Sequence, residues 1–402
     1  MRNISVEILL LILSSIVVVS YVFSIISKYI RIPSVLLLLS AGIFFRVIAQ
    51  QQRWNIAIPE KLVEFLGVTG LVMIILEAGL DLKVSRAKKK IIRDSFFAAL
   101  FIFIISLAGI SSGLYWWLQE PLIKCIVYGI PLSIMSSSIV IPSLHALSPS
   151  KKEFLIYEAS FSDIIGILVF NFLIAGEALS FISIGGFFLN IILSCILSLI
   201  FSFVLLLILA KSKLNIRFFL VFALLIFLYV TGKILHLPSL IIILVFGLLM
   251  NNWNLIAHFP RVEKYFPRKQ VNGLTHLLHS ITAETSFLIR TFFFLLFGFS
   301  IDLNLVIQKE VILIGSVIVG VLLLTRFLYL RFFLKEQVFP EVVFIPRGLI
   351  TILLFYKIPR VFQLDNFNEG ILFFVILLSS FIMVLGMLFY KYTPKDLTDD
   401  VQ

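Results

Sequence analysis

The feature that most constrains this chain is a succession of long apolar runs that follow one another from near its first residue to near its last. Hydrophobic residues make up 60% of the 402 residues, and charged residues make up only 14%. A soluble domain carries about 45–50% apolar and about 25% charged residues, so this composition excludes a soluble enzyme, a disordered chain and a nucleic-acid-binding domain. We therefore expect a polytopic membrane protein.

Each apolar run is long enough to be a transmembrane helix, because about 20 mainly apolar residues cross roughly 30 Å of hydrocarbon. The runs are continuous rather than alternating, which favours helices over a β-barrel. The first run is longer than the core of a typical signal peptide, and we interpret it as a span. The thirteen predicted spans are 5–27, 31–49, 62–80, 95–118, 122–143, 154–176, 182–210, 217–235, 237–252, 280–301, 308–331, 338–357 and 369–390.

The lysines and arginines of the short loops predict the orientation in the membrane, because cytoplasmic loops carry an excess of these residues. Most of them follow odd-numbered spans, for example Lys88, Lys89, Lys90 and Arg93 after span 3. We therefore predict an N-terminus outside the cell, a short cytoplasmic tail at 393–402, and location in the cell (inner) membrane. These loops also explain the net charge of +11 without a nucleic-acid partner.

Two short echoes in the sequence indicate an internal duplication. Residues 32–36 open span 2 with Ile-Pro-Ser-Val-Leu, and residues 237–241 open span 9 with Leu-Pro-Ser-Leu-Ile. Residues 79–82 (Gly-Leu-Asp-Leu) close span 3, and residues 300–303 (Ser-Ile-Asp-Leu) close span 10. Because an odd number of spans separates the copies, the second is predicted to be inverted in the membrane, as in many secondary transporters. The predicted segments are a first inverted repeat at 1–180, a linker helix at 181–212 and a second inverted repeat at 213–392.

Both predicted repeats contain a span interrupted by proline at the corresponding position. Proline frees backbone carbonyls, and nearby hydroxyls can replace the lost hydrogen bonds. Corresponding interruptions predict the binding site of a secondary transporter, although two unrelated proline kinks would give the same pattern. The residues concerned are Pro131, Ser136, Ser137, Ser138 and Pro142 in span 5, and Pro340, Pro346, Arg347 and Gly348 in span 12.

An ionisable side chain at the bilayer centre costs roughly 2.5–3.5 kcal/mol on insertion scales, so each one requires a reason. Asp163 lies in the middle of span 6, where burial penalises the charged form and allows the carboxyl group to alternate between a proton and a cation. Ser162 and the hydroxyls and carbonyls of span 5 could supply further oxygen ligands. The alternative is that Asp163 only pairs with a buried arginine. The other ionisable candidates are Glu77, Glu158, Arg290, Arg326, Glu341 and Arg347.

Glu158 precedes Asp163 by five residues, which places their side chains about 140° apart around a helix and about 7.5 Å apart along its axis. The two carboxylates therefore address different neighbours. We predict that Glu158 pairs with Arg326, with Arg347 as the rival partner. Glu77 is either a second carboxylate of the site or an interfacial residue. The histidines are interpreted as surface groups and no cofactor is predicted; they are His145, His236, His258, His276 and His279.

Five motifs occur in the order found in the monovalent cation:proton antiporter superfamily, and the chain resembles that family from about residue 30 onwards. Residues 158–163, Glu-Ala-Ser-Phe-Ser-Asp, are similar to the Glu-Ser-Leu-Phe-Asn-Asp stretch of electroneutral sodium/proton exchangers, and residues 75–80 to their Phe-Glu-Ala-Gly-Leu motif. Residues 136–140 resemble the Ser-Ser-Thr-Ala-Val of the potassium-efflux branch. Residues 346–349 and 291–302 resemble late-helix signatures of the family.

The resemblance implies an all-α membrane protein of about 13 helices, with crossed broken helices and a homodimeric assembly, that exchanges Na⁺, K⁺ or Li⁺ for H⁺. It implies that Asp163 is the shared proton and metal-ion carboxylate, that Glu158 and Arg326 form a structural ion pair, and that Arg347 is a supporting charge. Ser162 stands where the family usually has Asn, Gln or Asp. The loss of a second acid favours 1:1 electroneutral exchange, and the loss of the amide bears on ion selectivity.

Other function classes fit the sequence less well. A symporter that couples Na⁺ to a small organic anion on the same fold would need a roomier and more polar cavity than spans 5 and 12 offer. A membrane-embedded enzyme would need a catalytic motif, and the chain contains no His-Glu-x-x-His or Gly-x-Gly-Asp. Its Gly-x-Ser-x-Gly match at 109–113 lies inside predicted span 4 rather than at the strand-to-helix turn that this motif requires. A passive channel would need a filter sequence. We therefore predict a transporter rather than an enzyme.

Overall fold

The computed structural model describes residues 6–30, 32–52, 60–85, 88–144, 147–174, 181–211, 218–234, 237, 239–253, 268–334 and 338–390. Within these residues every regular element is a helix, as the continuous apolar runs predict. Several sequence predictions lie outside the described residues: the tail at 393–402, Pro238 of the second echo, and His145, His236 and His258.

The helices follow the predicted spans, and the interrupted spans 5 and 12 are divided into shorter segments. A π-helical turn, Leu330–Leu334, extends the helix Lys309–Tyr329, and single 3₁₀ turns lie at Glu341–Val343 and Arg360–Phe362. The α-helices are α1 (Val6–Ile30), α2 (Ser34–Gln51), α3 (Glu60–Asp81), α4 (Lys89–Leu118), α5 (Leu122–Ser133), α6 (Ser137–Ser143), α7 (Pro149–Ile174), α8 (Phe181–Lys211), α9 (Phe218–Ile234), α10 (Ser239–Asn251), α11 (Arg268–Ser300), α12 (Leu303–Val306), α13 (Lys309–Tyr329), α14 (Leu349–Tyr356) and α15 (Gly370–Phe389).

In the described part of the chain, six helices are long and apolar enough to cross a membrane by length and composition. Shorter apolar helices, such as α9 and α10, accompany them. The six are Ser34–Gln51, Lys89–Leu118, Leu122–Ser143, Val271–Ser300, Lys309–Leu334 and Gly370–Phe389.

The two proline-containing spans are broken helices. In span 5, α5 ends at Ser133, the backbone is extended at Ile134 and Ser136, and α6 begins at Ser137. In span 12, a 3₁₀ turn is followed by non-helical residues 344–348, and α14 begins at Leu349. In span 12, Pro346 lies within the break, where its missing N–H and its ring prevent a continuous helix. In span 5, Pro131 and Pro142 lie inside α5 and α6, on either side of the break.

The chain divides into two compact units, each built from separate stretches of sequence. The first unit comprises Met1–Val63, Lys90–Phe170 and Arg290–Gln402 and contains both broken helices. The second unit comprises Glu64–Lys89 and Asn171–Ile289. These units follow packing rather than sequence order, so they divide the chain differently from the proposed inverted repeats.

Candidate functional site

The two broken helices are joined at their breaks within the first unit. The backbone amide of Ser136 donates a hydrogen bond of 3.0 Å to the carbonyl of Pro346. Gly348 allows this close approach, because a Cβ at that position would lie 2.5 Å from the hydroxyl oxygen of Ser136 and 3.1 Å from its Cβ. Two extended segments therefore meet where backbone groups lack helical partners, and these groups are available for other bonds.

Arg347 lies in the second break and binds the end of the first broken helix. Its Nε donates to the carbonyl of Leu132 at 2.7 Å, and its Nη2 donates to the carbonyl of Ser133 at 3.2 Å. Its Nη1 donates to the carbonyl of Ile345 at 2.8 Å. Because the C-terminal end of a helix carries partial negative charge, these carbonyls stabilise a guanidinium that is only 2% exposed. The structure thus places Arg347 with the broken helices, and its guanidinium donates to backbone carbonyls rather than to Glu158.

Asp163 lies on α7 and is 4% exposed. Its carboxylate interacts with the hydroxyl and the backbone amide of Ser137, the first residue of α6. Its Oδ1 atom has no hydrogen-bond partner among the described residues, and no basic side chain in that part of the chain forms an ion pair with it. A buried carboxylate with an unused oxygen can take up a proton or a cation, either of which would compensate its charge.

The predicted serine ligands do not all face Asp163. Ser162 accepts a hydrogen bond of 2.9 Å from the backbone amide of Met135, so its hydroxyl holds the first break. The hydroxyls of Ser136 and Ser138 are 2.9 Å apart and bond to each other. Of the four predicted hydroxyls, that of Ser137 contacts the Asp163 carboxylate.

Glu158 and Arg326 form a buried bidentate ion pair. The Nη1 and Nη2 atoms of Arg326 donate to Oε1 and Oε2 of Glu158 at 2.6 and 2.8 Å. The Nε atom of Arg326 also donates to the backbone carbonyl of Glu341 at 2.6 Å. Both side chains of the pair are at most 2% exposed, so each charge depends on the other for compensation.

Glu77 lies on α3, in the second unit. Its Oε2 atom accepts a hydrogen bond of 2.5 Å from the hydroxyl of Ser286 on α11. One turn later on α3, the Oδ1 atom of Asp81 is 2.7 Å from Nε2 of His279. Glu77 therefore takes part in a polar contact between α3 and α11. Arg290, also on α11, is half-buried.

Sequence reasoning missed one residue close to this site. Lys151 precedes Glu158 by two helical turns on α7, and it lies outside the predicted span 154–176, where only a loop was expected. Its Nζ atom is 3.1 Å from Oε1 of Glu341. A signal was available, because residues seven apart on a helix lie on the same face, so a helix that reached Lys151 would carry it on the same face as Glu158.

A small cavity lies beside the broken helices. Asp163 is not among its lining residues. The polar residues that line it are Ser133, Glu158, Ser162, Arg326 and Arg347.

Known proteins resemble this chain over nearly all of its length. A family model described as sodium/hydrogen exchanger, transmembrane, matches residues 13–390. A structure of the sodium/proton antiporter MjNhaP1 from Methanocaldococcus jannaschii at pH 8 is 18% identical, with a TM-score of 0.70 over 96% of this chain and 99% of that chain.

An electron-microscopy structure of the same antiporter is 19% identical, with a TM-score of 0.68 over 97% of this chain and 100% of that chain. At these identities the likeness concerns the fold, and it confirms the predicted all-helical antiporter fold. A comparison with curated proteins gave no match.

Proposed function

Because the chain belongs to the sodium/hydrogen exchanger family of transmembrane proteins, we propose that it is a secondary active antiporter that exchanges Na⁺ or K⁺ for H⁺ at Asp163. The observation that carries the proposal is the environment of the Asp163 carboxylate. It is buried, it contacts Ser137 at the break of a helix, and its Oδ1 atom has no partner among the described residues.

Exchange follows from competition for one carboxylate. A proton and a metal ion cannot both occupy Asp163, so the binding of one expels the other. Either one neutralises the carboxylate, and a neutral site can move through a low-dielectric barrier. The empty, charged site cannot, because the cost of its desolvation is unopposed. This difference couples the outward movement of one ion to the inward movement of the other.

The charges near Asp163 support an electroneutral 1:1 stoichiometry. Glu158 is compensated by Arg326, and the carbonyls of α5 and of Ile345 compensate Arg347. Ser162 stands where a second acid would add a titratable group. One carboxylate then carries either one H⁺ or one monovalent cation in each direction.

The oxygen ligands of the cation are expected at the first break. The Ser137 hydroxyl contacts Asp163, and the extended backbone at 134–136 has carbonyls outside a regular helix. Ser162 would act differently from the predicted ligand role, because its hydroxyl is already bonded to the amide of Met135. Its contribution would be to hold the break in the geometry that admits Na⁺, K⁺ or Li⁺.

The proposal includes the membrane context. We place the protein in the cell (inner) membrane with the N-terminus outside and the C-terminus in the cytoplasm, as a homodimer. The inverted repeats at 1–180 and 213–392, joined by the linker helix at 181–212, would provide alternating access.

The proposal is tested in proteoliposomes that contain a pH-sensitive dye. External Na⁺ or K⁺ added to vesicles that lack this cation inside should raise the internal pH, because the cation enters as H⁺ leaves, and the D163N variant should lose this response. D365N, which alters an exposed aspartate, is the matched control and should behave like the wild type. An imposed membrane potential should leave the rate unchanged. Exchange by D163N at the wild-type rate would refute the site.

A further inference from the structure

Lys151 connects three elements of the first unit. Its Nζ atom lies 3.1 Å from Oε1 of Glu341 and donates to the carbonyl of Phe339 at 3.3 Å. It also lies 5.9 Å from the centre of the Tyr390 ring, just after α15. The side chains of Lys151 and Glu341 are 17% and 9% exposed. This ion pair is therefore largely shielded from water, where loss of one partner is costly.

Glu341 is held at two points. Its carboxylate pairs with Lys151, while its backbone carbonyl accepts the 2.6 Å hydrogen bond from Nε of Arg326. The same guanidinium grips Glu158 with its other two nitrogens. The four residues thus form one continuous chain of contacts, in the order Lys151, Glu341, Arg326 and Glu158, in which the backbone carbonyl of Glu341 joins the two ion pairs.

The ends of this chain lie on one helix. Lys151 and Glu158 are separated by two turns of α7, so they face the same side and stand about 10.5 Å apart along the axis. The same helix continues to Asp163. The charges of the four residues sum to zero, since two bases alternate with two acids. The four residues together therefore add no net charge to the surroundings of Asp163.

Building on the exchange function proposed above, we propose that Lys151 is a positioning residue. It holds the Glu341 carboxylate, so that Arg326 remains on Glu158 and Glu158 does not join Asp163 in carrying protons. Lys151 thereby fixes the number of protons exchanged per cation from a position well away from the carboxylate that binds them.

The physical basis is competition between two acids for one guanidinium. Without Lys151, the Glu341 carboxylate would be buried and uncompensated, and the nearest cation is Arg326, already bonded to the main chain of the same residue. A carboxylate in that position draws the guanidinium towards itself. Glu158 then loses part of its compensation, and a buried carboxylate without compensation takes up a proton.

The groups that face these acids are known for the elements packed against them. Glu341 faces Lys151 on α7 and Arg326 on α13, and the Tyr390 ring lies beyond the lysine. Glu158 faces Arg326, and Tyr329, one turn further along α13, also senses its charge. Arg347 lines the same small cavity, where it donates to the carbonyls of Leu132, Ser133 and Ile345. The tyrosines are phenols that stay protonated and uncharged near neutral pH. The net charge of the four-residue chain is therefore set by its two acids and two bases.

The test compares three variants in the proteoliposome assay. In K151M, the rate should depend on an imposed membrane potential, and the apparent Na⁺ affinity should fall more steeply with acidification than in the wild type. Adding E341Q to K151M removes the competing acid, so the double variant should recover the wild-type pH profile. E341Q alone should also keep that profile. K152M, which alters the exposed neighbouring lysine, is the matched control and should change nothing.

A purely structural role for the ion pair predicts a different pattern. Damage would then persist or grow in the double variant, and this result would overturn the proposal. If K151M does not fold, E341Q and the double variant still test the proposal. Both are expected to keep the wild-type pH profile, and a changed profile in either one contradicts the proposed role. Failure of wild-type exchange, or exchange by D163N, would instead refute the function proposed above.

A second measurement does not depend on transport. E158Q removes an acid that Arg326 holds in the wild type but holds less firmly in K151M. Its effect on the melting temperature should therefore be smaller in the K151M background, by half or more. An equal effect in both backgrounds would show that Arg326 never leaves Glu158, and the proposal would fall.

Discussion

Gly42 and Gly298 lie against each other where α2 crosses α11 in the first unit. A Cβ at Gly298 would stand 3.2 Å from the Cα atom of Gly42, and one at Gly42 would stand 2.8 Å from the amide nitrogen of Phe299. Arg46, one turn further along α2, donates to the carbonyls of Phe299 and Ser300 at 3.0 and 2.7 Å. The end of α11 is thus both packed and capped by α2.

The second unit contains a similar close crossing, between α10 and α3. A Cβ at Gly247 on α10 would stand 3.0 Å from the Cα atom of Gly79 on α3. Asn252, which follows α10, donates to the carbonyl of Leu82 at 2.8 Å. Gly42 and Gly247 are equally far from the first residues of their sequence echoes, Ile32 and Leu237. Each of the two crossings thus pairs a helix of one proposed repeat with a helix of the other. This correspondence supports the proposed duplication.

Alanine at either crossing should destabilise the protein. No side chain can move aside when the nearest atoms belong to backbone, so the helices must separate, at a cost of about 1–3 kcal/mol for overpacking. We expect both G42A and G247A to lower the melting temperature, and G42A to lower it more, because a Cβ at Gly42 would also collide with the carbonyl oxygen of Leu295. G113A is the matched control, because a Cβ there would meet nothing within 4 Å. Equal melting temperatures for all three variants would contradict the close crossings.

Loss of the Glu158 carboxylate should destabilise the fold more than it weakens cation binding. E158Q leaves Arg326 buried and without its acid, and breaking a buried ion pair in this way costs about 3–5 kcal/mol. D94N is the control, because its partner Arg93 is 63% exposed and such pairs contribute about 0–1 kcal/mol. Thermal unfolding and Na⁺ affinity are measured together. A normal melting temperature with abolished binding would assign Glu158 to the ion site.

The sequence predicted the elements and the side-chain pairs better than the contacts to backbone. Apolar length located the helices, the proline-containing spans are the two that are broken, and the requirement to compensate a buried charge paired Glu158 with Arg326. The partners of Ser162 and Arg347 are an amide and carbonyls, which every residue possesses, so no sequence pattern distinguishes them.

The start of α11 was predicted too late for a related reason. The helix begins at Arg268 rather than near residue 280, because polar residues continue it beyond the apolar run. His279 is bonded to Asp81 on α3, and Thr275 donates to the carbonyl of Met250. Apolar length measures the part of a helix that suits lipid. It does not measure a polar extension that is held by other helices.

Removal of the Ser162 hydroxyl should loosen the first break. S162A leaves the buried amide of Met135 without its acceptor, which costs about 1–3 kcal/mol. We expect a lower melting temperature together with a higher KM for Na⁺, because the break carries the expected oxygen ligands. S160A is a close control, since the Ser160 hydroxyl is equally buried but has no partner among the described residues. A higher KM in S160A but not in S162A would argue against this role.

Competition between H⁺ and Na⁺ at one carboxylate fixes the form of the pH dependence. Acidification fills Asp163 with protons, so more Na⁺ is needed to displace them, and the apparent KM should rise as the pH falls. Where most of the sites are protonated, the rise should be about tenfold per pH unit, since mass action displaces one proton for each cation. Maximal rates extrapolated to saturating Na⁺ should change far less than KM. The measurement is the initial exchange rate over a matrix of Na⁺ concentrations and pH values. A dependence near one hundredfold per unit would mean that two protons leave for each cation, and then a second acid would have to share the site with Asp163.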